Sequence, residues 1–461
     1  MKKIPRKDLT VGSVKAHIIK LTFGMLGGFV SMCAFNLVDT YFVSRLGKEY
    51  LAAMGFVGPI VMLIGSLAMG MGIAVAAIVA RKIGGNDFSG VKRFMADTLI
   101  FAMVLVMFLA IIGFFSVEYV LNAMGASGLV QGLAIRYLNI WFCFVAFMVV
   151  PMIANNAIRA TGHALIPAFI MGASAVINIF LDWLLIFGNW GFPRWELEGA
   201  VWATVISRCC GFVLAVCLLH FKFKIISFAV PVWSKFVISC RELLATAIPA
   251  MGNSVLVPLS NMLIISMIAG YGTEAVAGTN AGSQIIMFTF MLPMAMGSVL
   301  MPFAGQNWAA KKIERIREAW HFGIIFSIIY GSLSFVLLFF VGEDVAKIFS
   351  KNPEVFNVTV RFLFIFLIFS AFCHIVVHTG FLFNAIGKPF CASMIYVLRF
   401  AVLMVPLAWL GQHLFGLDGI FIGISVSNLL TGLVAWVWFK IVIARSIQIQ
   451  FSKENVRFAF D

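Results

Sequence analysis

Twelve long, predominantly apolar stretches follow one another along this chain, and its charges collect in the short segments between them. A helix rises about 1.5 Å per residue, so about 20 apolar residues match the roughly 30 Å of a bilayer's hydrocarbon core. By that length criterion the pattern predicts membrane helices at 16–44, 52–79, 94–117, 131–153, 164–188, 198–220, 242–270, 275–303, 320–341, 360–383, 390–412 and 417–440. The basic segment Met1 to Lys7 ahead of the first stretch has the look of a signal peptide. That stretch is too long for one, and no small-residue cleavage site follows it, so it is expected to be a retained first membrane helix.

Composition supports lipid as the solvent. The 461 residues are 62% hydrophobic and 11% charged, against about one quarter charged in a soluble domain, and mean hydropathy is +1.04. The formal net charge of +14 would suggest nucleic acid in a soluble protein. Here the basic residues lie between apolar runs, so they set orientation in the membrane instead. With the N-terminus in the cytoplasm, the inner segments collect Lys2, Lys3, Arg6, Lys7, Lys15, Lys20, Arg81, Lys82, Lys92, Arg93, Arg159, Lys222, Lys224, Lys235, Arg241, Lys311, Lys312, Arg315, Arg317, Lys388, Lys440, Arg445, Lys453 and Arg457. The outer segments receive only Arg45, Lys48, Arg136, Arg194, Lys347, Lys351 and Arg361, while Arg208 and Arg399 fall inside predicted helices. An even number of spans with both termini inside is the topology this asymmetry favours.

The chain also repeats itself. Thr22-Phe23-Gly24 corresponds to Ala247-Ile248-Pro249, Gly70-Met71-Gly72 to Ala295-Met296-Gly297, and Ala160-Thr161-Gly162 to Ala385-Ile386-Gly387, each 225 residues on (387 minus 162). Leu197-Glu198-Gly199 then matches Leu417-Asp418-Gly419 at a spacing of 220 (419 minus 199), which implies a shorter outer loop in the second half. Four matches in order predict an all-α integral membrane protein of two related six-helix lobes. Six is even, so the repeat is parallel. The expected division is an N-terminal lobe at 1–221, a cytoplasmic linker at 222–241, a C-terminal lobe at 242–447 and a cytoplasmic tail at 448–461. Two lobes of this kind suit a transporter that alternates access by rocking.

Charge in lipid is costly, about 2.5–3.5 kcal/mol for an Asp at mid-helix, and intramembrane acids usually mark function. Asp39 lies in the first predicted helix and Asp182 in the fifth. Asn36 stands three residues before Asp39, and Asn178 four before Asp182, so each amide shares a helix face with its acid. Two carboxylates with amide oxygens nearby could bind sodium. Alternatively, desolvation and mutual repulsion could raise one pKa so that it carries a proton near neutrality. The competing reading places both acids at outer helix ends, solvated; Gly188 and Pro193 follow Asp182 closely, and Arg45 follows Asp39.

At this point the residues resemble a family. Leu37-Val38-Asp39-Thr40-Tyr41-Phe42-Val43-Ser44-Arg45-Leu46-Gly47 followed by Leu51-Ala52-Ala53, Ala157-Ile158-Arg159-Ala160-Thr161-Gly162, and Asn178-Ile179-Phe180-Leu181-Asp182 followed by Leu197-Glu198-Gly199-Ala200 and Ala203-Thr204 together resemble the multidrug and toxic compound extrusion (MATE) family. The resemblance implies a multi-pass transporter of the plasma (bacterial inner) membrane with a V-shaped central cleft. It implies antiport of amphipathic, often cationic drugs against protons or sodium, with no catalytic residue and no cofactor beyond the coupling ion. It implies that Asp39, Asn178, Asp182 and Thr204 gather around that ion, and that Tyr137 and Asn155 lie near the same cavity. The second half departs from the family branch that carries acids there: at the spacing of 225 Asp182 maps to Leu407 and Asn178 to Leu403, and Asp39 falls opposite Asn261 once a short gap is allowed. Coupling is therefore expected in the first lobe, at Asp39, Asp182, Asn178, Thr204 and Asn36. Protons are preferred to sodium because of the acid pair.

Other candidates point elsewhere. His374 and His378 share a helix face, yet Ile375-Val376-Val377 between them leaves out the Glu of a zinc-protease motif. No third ligand completes a metal set, so polar packing or cavity lining is preferred, with His374 a substrate-cavity candidate. Arg399 either lines the cleft or snorkels to a headgroup, and Arg208 has the same two readings. Gly24 and Gly28 fit the close-packing pattern GxxxG. None of the eight cysteines forms a CxxC pair, and they are expected to be small core residues. The rivals to drug export are a lipid-linked saccharide flippase of the same superfamily and a membrane metalloenzyme using the two histidines. The expected partners are small organic compounds and the bilayer, with no nucleic acid, and the chain is expected to act as a monomer.

Overall fold

The computed structural model describes residues 7–226, 232–349 and 352–458. Lys2, Lys3, Arg6, Lys351, part of the linker (227–231) and the last tail residues (459–461) lie outside the described residues. Among the described residues the regular structure is all helical. Its helices are α1 Val14–Ser44, α2 Lys48–Gly84, α3 Phe88–Ala123, α4 Gly128–Ala160, α5 Leu165–Phe187, α6 Glu196–Cys217, α7 Trp233–Ala269, α8 Thr273–Ala309, α9 Ile313–Phe349, α10 Pro353–Ile368, α11 Ser370–Ala385, α12 Pro389–Val397 and α13 Val405–Phe458. A π turn at Leu218–Lys222 extends α6, and another at Leu398–Met404 joins α12 to α13. The tail to Phe458 continues α13.

Ten of these helical stretches are long and apolar enough to cross a membrane. α10 and α11 add an eleventh as a pair bent by 58°. The last stretch, Pro389–Ile449, runs for 61 residues, about 90 Å if straight, or three bilayer cores. It is not straight. Phe415 and Gly416 leave helical geometry, Gly416 at φ 62°, and the chain doubles back there. A Cβ on Gly411 would lie 2.1 Å from the Gly419 carbonyl oxygen, and one on Gly423 would lie 2.5 Å from that of Leu407. The stretch is thus a hairpin of two spans, which brings the number to twelve among the described residues.

The chain divides into two compact units. One contains Met1–Asp8 and Phe23–Ala247, the other Leu9–Thr22 and Ile248–Asp461. The first turns of α1 are thus grouped with the second half, and the first turns of α7 with the first half. In the first unit, α7 is tied by Ser239 Oγ donating to Asp97 at 2.6 Å and by Glu242 pairing with Lys82 at 3.0 Å. In the second unit, the segment ahead of α1 is tied by Asn307, Lys312 and Arg315, which donate to the carbonyls of Leu9, Thr10 and Gly12.

The internal repeat is physical as well as textual. The left-handed positions Gly47 and Gly272, Asn86 and Lys311, and Gly162 and Gly387 all recur at a spacing of 225 (272 minus 47). Arg136 pairs with Glu198 at 3.5 Å, and 225 residues after it Arg361 pairs with Asp418 at 3.5 Å. The repeated glycine next to each acid has one reason in both halves. A Cβ on Gly199 would lie 2.6 Å from the Leu185 carbonyl oxygen, and one on Gly419 would lie 1.9 Å from that of Gly411. Only a residue without a side chain lets the helix start so close to the end of its predecessor.

Candidate functional site

α5 carries Asn178 and Asp182 one turn apart, and the α1–α5 contact is made close by glycine. A Cβ on Gly28 would meet the Ala168 backbone at 3.1 Å, and one on Gly24 the Leu165 side chain at 3.2 Å. α6 approaches α5 equally closely, since a Cβ on Gly211 would lie 2.7 Å from Ser174 Oγ. These approaches set α1, α5 and α6 around the acids of the first unit.

Asp182 and Asn178 are both fully buried, and Thr204 is 9% exposed. With the Asn178 amide turned to satisfy both of its ends, its Nδ2 donates to Asp182 Oδ2 at 2.9 Å and its oxygen accepts from the Thr204 backbone N–H at 3.2 Å. Asp182 Oδ1 is buried with no hydrogen-bond partner. Tyr137, buried on α4, is within electrostatic reach of both Asp39 and Asp182, and the two carboxylates are within reach of each other. Asp39 is half-buried on α1. Hydrogen-bond geometry joins Asp182, Asn178 and Thr204, and Asp39 and Tyr137 lie within electrostatic reach of Asp182.

Two other candidates stand apart. Asn36 is exposed, and its backbone carbonyl accepts the Thr40 hydroxyl. Asn155 is half-buried with its side-chain oxygen unpartnered. It sits on α4 five turns from Tyr137, about 27 Å along the axis. Arg208 lies over the Phe35 ring at 5.2 Å. Buried Asp97, held by Ser239, went unremarked in the sequence because it stands near the start of an apolar run. Only the fold pairs it with a hydroxyl of α7.

His374 and Arg399 belong to the second unit and are buried there, 1% and 8% exposed. His378 uses both ring nitrogens, with Ser327 Oγ at 3.1 Å and the Pro293 carbonyl at 3.0 Å. His374 makes no well-formed hydrogen bond with either nitrogen, though the Ser327 backbone stands beside its ring. Among the described residues no three His, Cys, Asp or Glu side chains form a metal-binding group.

Outside the spans, His163 between α4 and α5 closes a small corner. Its Nδ1 lies 3.0 Å from Thr161 Oγ1, its ring stands edge-on to Phe223, and the Thr161 carbonyl accepts the Lys7 backbone N–H. Burial first, then the ammonium groups of Lys7 and Lys222, hold its pKa below the ordinary imidazole value.

Two units with twelve spans among the described residues, one unit holding a buried, under-satisfied carboxylate, have the make-up of a secondary transporter. The MatE family model matches residues 25–184 and 249–410, one block in each half. The chain belongs to that family, the multidrug and toxic compound extrusion transporters, and is not an enzyme. It is 30% identical over 431 residues to a protein of Shewanella oneidensis named FAD transporter, covering 94% of this chain and 95% of that one. It is 28% identical to the probable multidrug resistance protein YoeA of Bacillus subtilis, covering 90% and 92%. The bent form of the Vibrio cholerae MATE transporter VcmN superposes with a TM-score of 0.89 at 27% identity, covering 94% of this chain and 98% of that one.

Proposed function

We propose that this chain exports amphipathic organic compounds in exchange for a cation, protons before sodium, from a plasma membrane in which both termini face the cytoplasm. One observation carries the reading: Asp182 is buried with one oxygen held by Asn178 and the other without a partner. A buried carboxylate in that condition is costly as an anion and is relieved by a proton or a sodium ion. Occupancy by one cation removes one negative charge from the cluster of Asp39, Asp182 and Tyr137. Loss of the cation restores the charge and favours the other packing of the first unit. Relatives named as a probable multidrug resistance protein and a multidrug export protein support the transport class.

The cargo has a second reading, flavin dinucleotide, favoured by the name of the Shewanella relative. One experiment tests both. Inverted vesicles are given an imposed pH gradient, then a sodium gradient, with a fluorescent organic cation or flavin dinucleotide outside. Uptake driven by pH, and lost in Asp39→Asn and Asp182→Asn, is expected. Full uptake by both variants overturns the coupling site, and uptake under sodium alone changes the ion.

A further inference from the structure

Arg399 carries a charge that the second unit leaves uncompensated. It is 8% exposed, and among the described residues no carboxylate lies within ion-pairing distance. Its partners are neutral: Nε donates to Asn428 Oδ1 at 3.0 Å, Nη2 donates to Cys373 Sγ at 2.8 Å, and the guanidinium lies 4.7 Å from the Phe400 ring centre. A buried cation without a counter-charge costs several kcal/mol. The π turn Leu398–Met404 contains Arg399, and such turns often occur at functional sites.

The surroundings hold donors in want of an acceptor. Asn428 gives its oxygen to Arg399, and its Nδ2, a donor only, is buried with no partner. Neither ring nitrogen of buried His374 makes a well-formed hydrogen bond, although the Ser327 backbone stands beside the ring; neutral His374 has one N–H to donate and is within electrostatic reach of Arg399. A Cys373 thiolate would balance the guanidinium but would leave Asn428 Nδ2 and His374 unsatisfied. An acceptor-rich anion answers all three. Beside it stands an aromatic wall: Phe290 meets the His374 ring edge-on at 4.7 Å, Tyr330 lies 5.8 Å from it, and Phe326 stacks on Tyr330 at 5.4 Å.

We propose that Arg399, Asn428 and His374 form a binding site in the second unit for the anionic group, sulfonate-, phosphate- or carboxylate-like, of an aromatic amphiphile. The proposal rests on the export reading only in taking that amphiphile to be cargo.

The test is equilibrium binding to the purified full chain with no gradient present. Two fluorescent probes of the same ring system are used, anilinonaphthalene sulfonate and uncharged N-phenylnaphthylamine. A charge-assisted hydrogen bond contributes about 1.5–3 kcal/mol, so Arg399→Gln should weaken sulfonate binding about 10- to 100-fold and the uncharged probe less than about twofold. Asn428→Asp covers the case in which Arg399→Gln does not fold, because it supplies the missing counter-charge in place. It should raise the melting temperature and still weaken sulfonate binding about tenfold or more. Cys373→Ser should leave sulfonate affinity within about twofold, on the roughly 1.4 kcal/mol per tenfold scale. Equal loss of both probes, unchanged sulfonate binding in Asn428→Asp, or a tenfold gain in Cys373→Ser would overturn the site. Because no transport is read, none of these outcomes bears on Asp39 and Asp182, which the vesicle experiment tests separately.

Discussion

Asn178 holds Asp182 by a single oxygen: the amide Nδ2 lies 2.9 Å from Oδ2, one turn away on α5, while Oδ1 has no partner at all. The amide is itself anchored at its other end by the Thr204 backbone N–H at 3.2 Å. A carboxylate oriented this way keeps one oxygen free for a transferable cation.

Asp182→Asn removes a buried charge without changing shape, so it should fold at least as well as the native chain while gradient-driven efflux falls about tenfold or more. Asn178→Ala leaves the Asp182 carboxylate with neither oxygen held, and it should lower efflux and the melting temperature together. Vesicle uptake and thermal unfolding in detergent measure the two effects.

The pairing of Lys82 with Glu242, 20% and 37% exposed at their side chains, ties α7 to α2. Lys82→Met and Glu242→Gln should each destabilise the chain, and the two together by less than their sum, with a coupling energy of about 1 kcal/mol. A double-mutant cycle on thermal unfolding reads it; a coupling near zero would mean the pair contributes no stability.

Gly419 leaves no room for a methyl group, with the Gly411 carbonyl oxygen 1.9 Å from where its Cβ would stand. Gly419→Ala should cost at least about 1–3 kcal/mol, as overpacking does. On α4, Gly132 faces open space, and Gly132→Ala should be neutral or slightly stabilising because alanine is the better helix former. The melting temperatures of the two variants should move in contrast.

His163 gives the fold a pH dependence whose sign follows from its lowered pKa. The folded state disfavours the imidazolium, so this contribution is intact above the ordinary histidine value of about 6.5 and is lost as pH falls below it. The melting temperature should drop on acidification, and His163→Gln should drop less. Identical acid sensitivity in the two would assign it to other groups.

The lengths of the apolar runs and the placement of the basic residues were enough to read twelve spans and a two-part repeat, because hydrophobic length and charge asymmetry act locally and leave their mark in the chain itself. The acids Asp39 and Asp182 were legible for the same reason: a charge in an apolar run stands out without knowledge of its neighbours. Tertiary structure decided what each one meets. It turned Gly24 and Gly28 from a frequent pattern into the close approach of α1 to α5, brought Tyr137 within electrostatic reach of both acids and left Asn155 about 27 Å along the same helix. It grouped the first turns of α1 and α7 each with the opposite half, broke the tenth span at Phe369, and folded Arg399 inward beside Asn428 and Cys373. Those outcomes depend on contacts between residues tens to hundreds of positions apart, and hydrophobic patterning, which records only how each residue relates to lipid, carries no information about them.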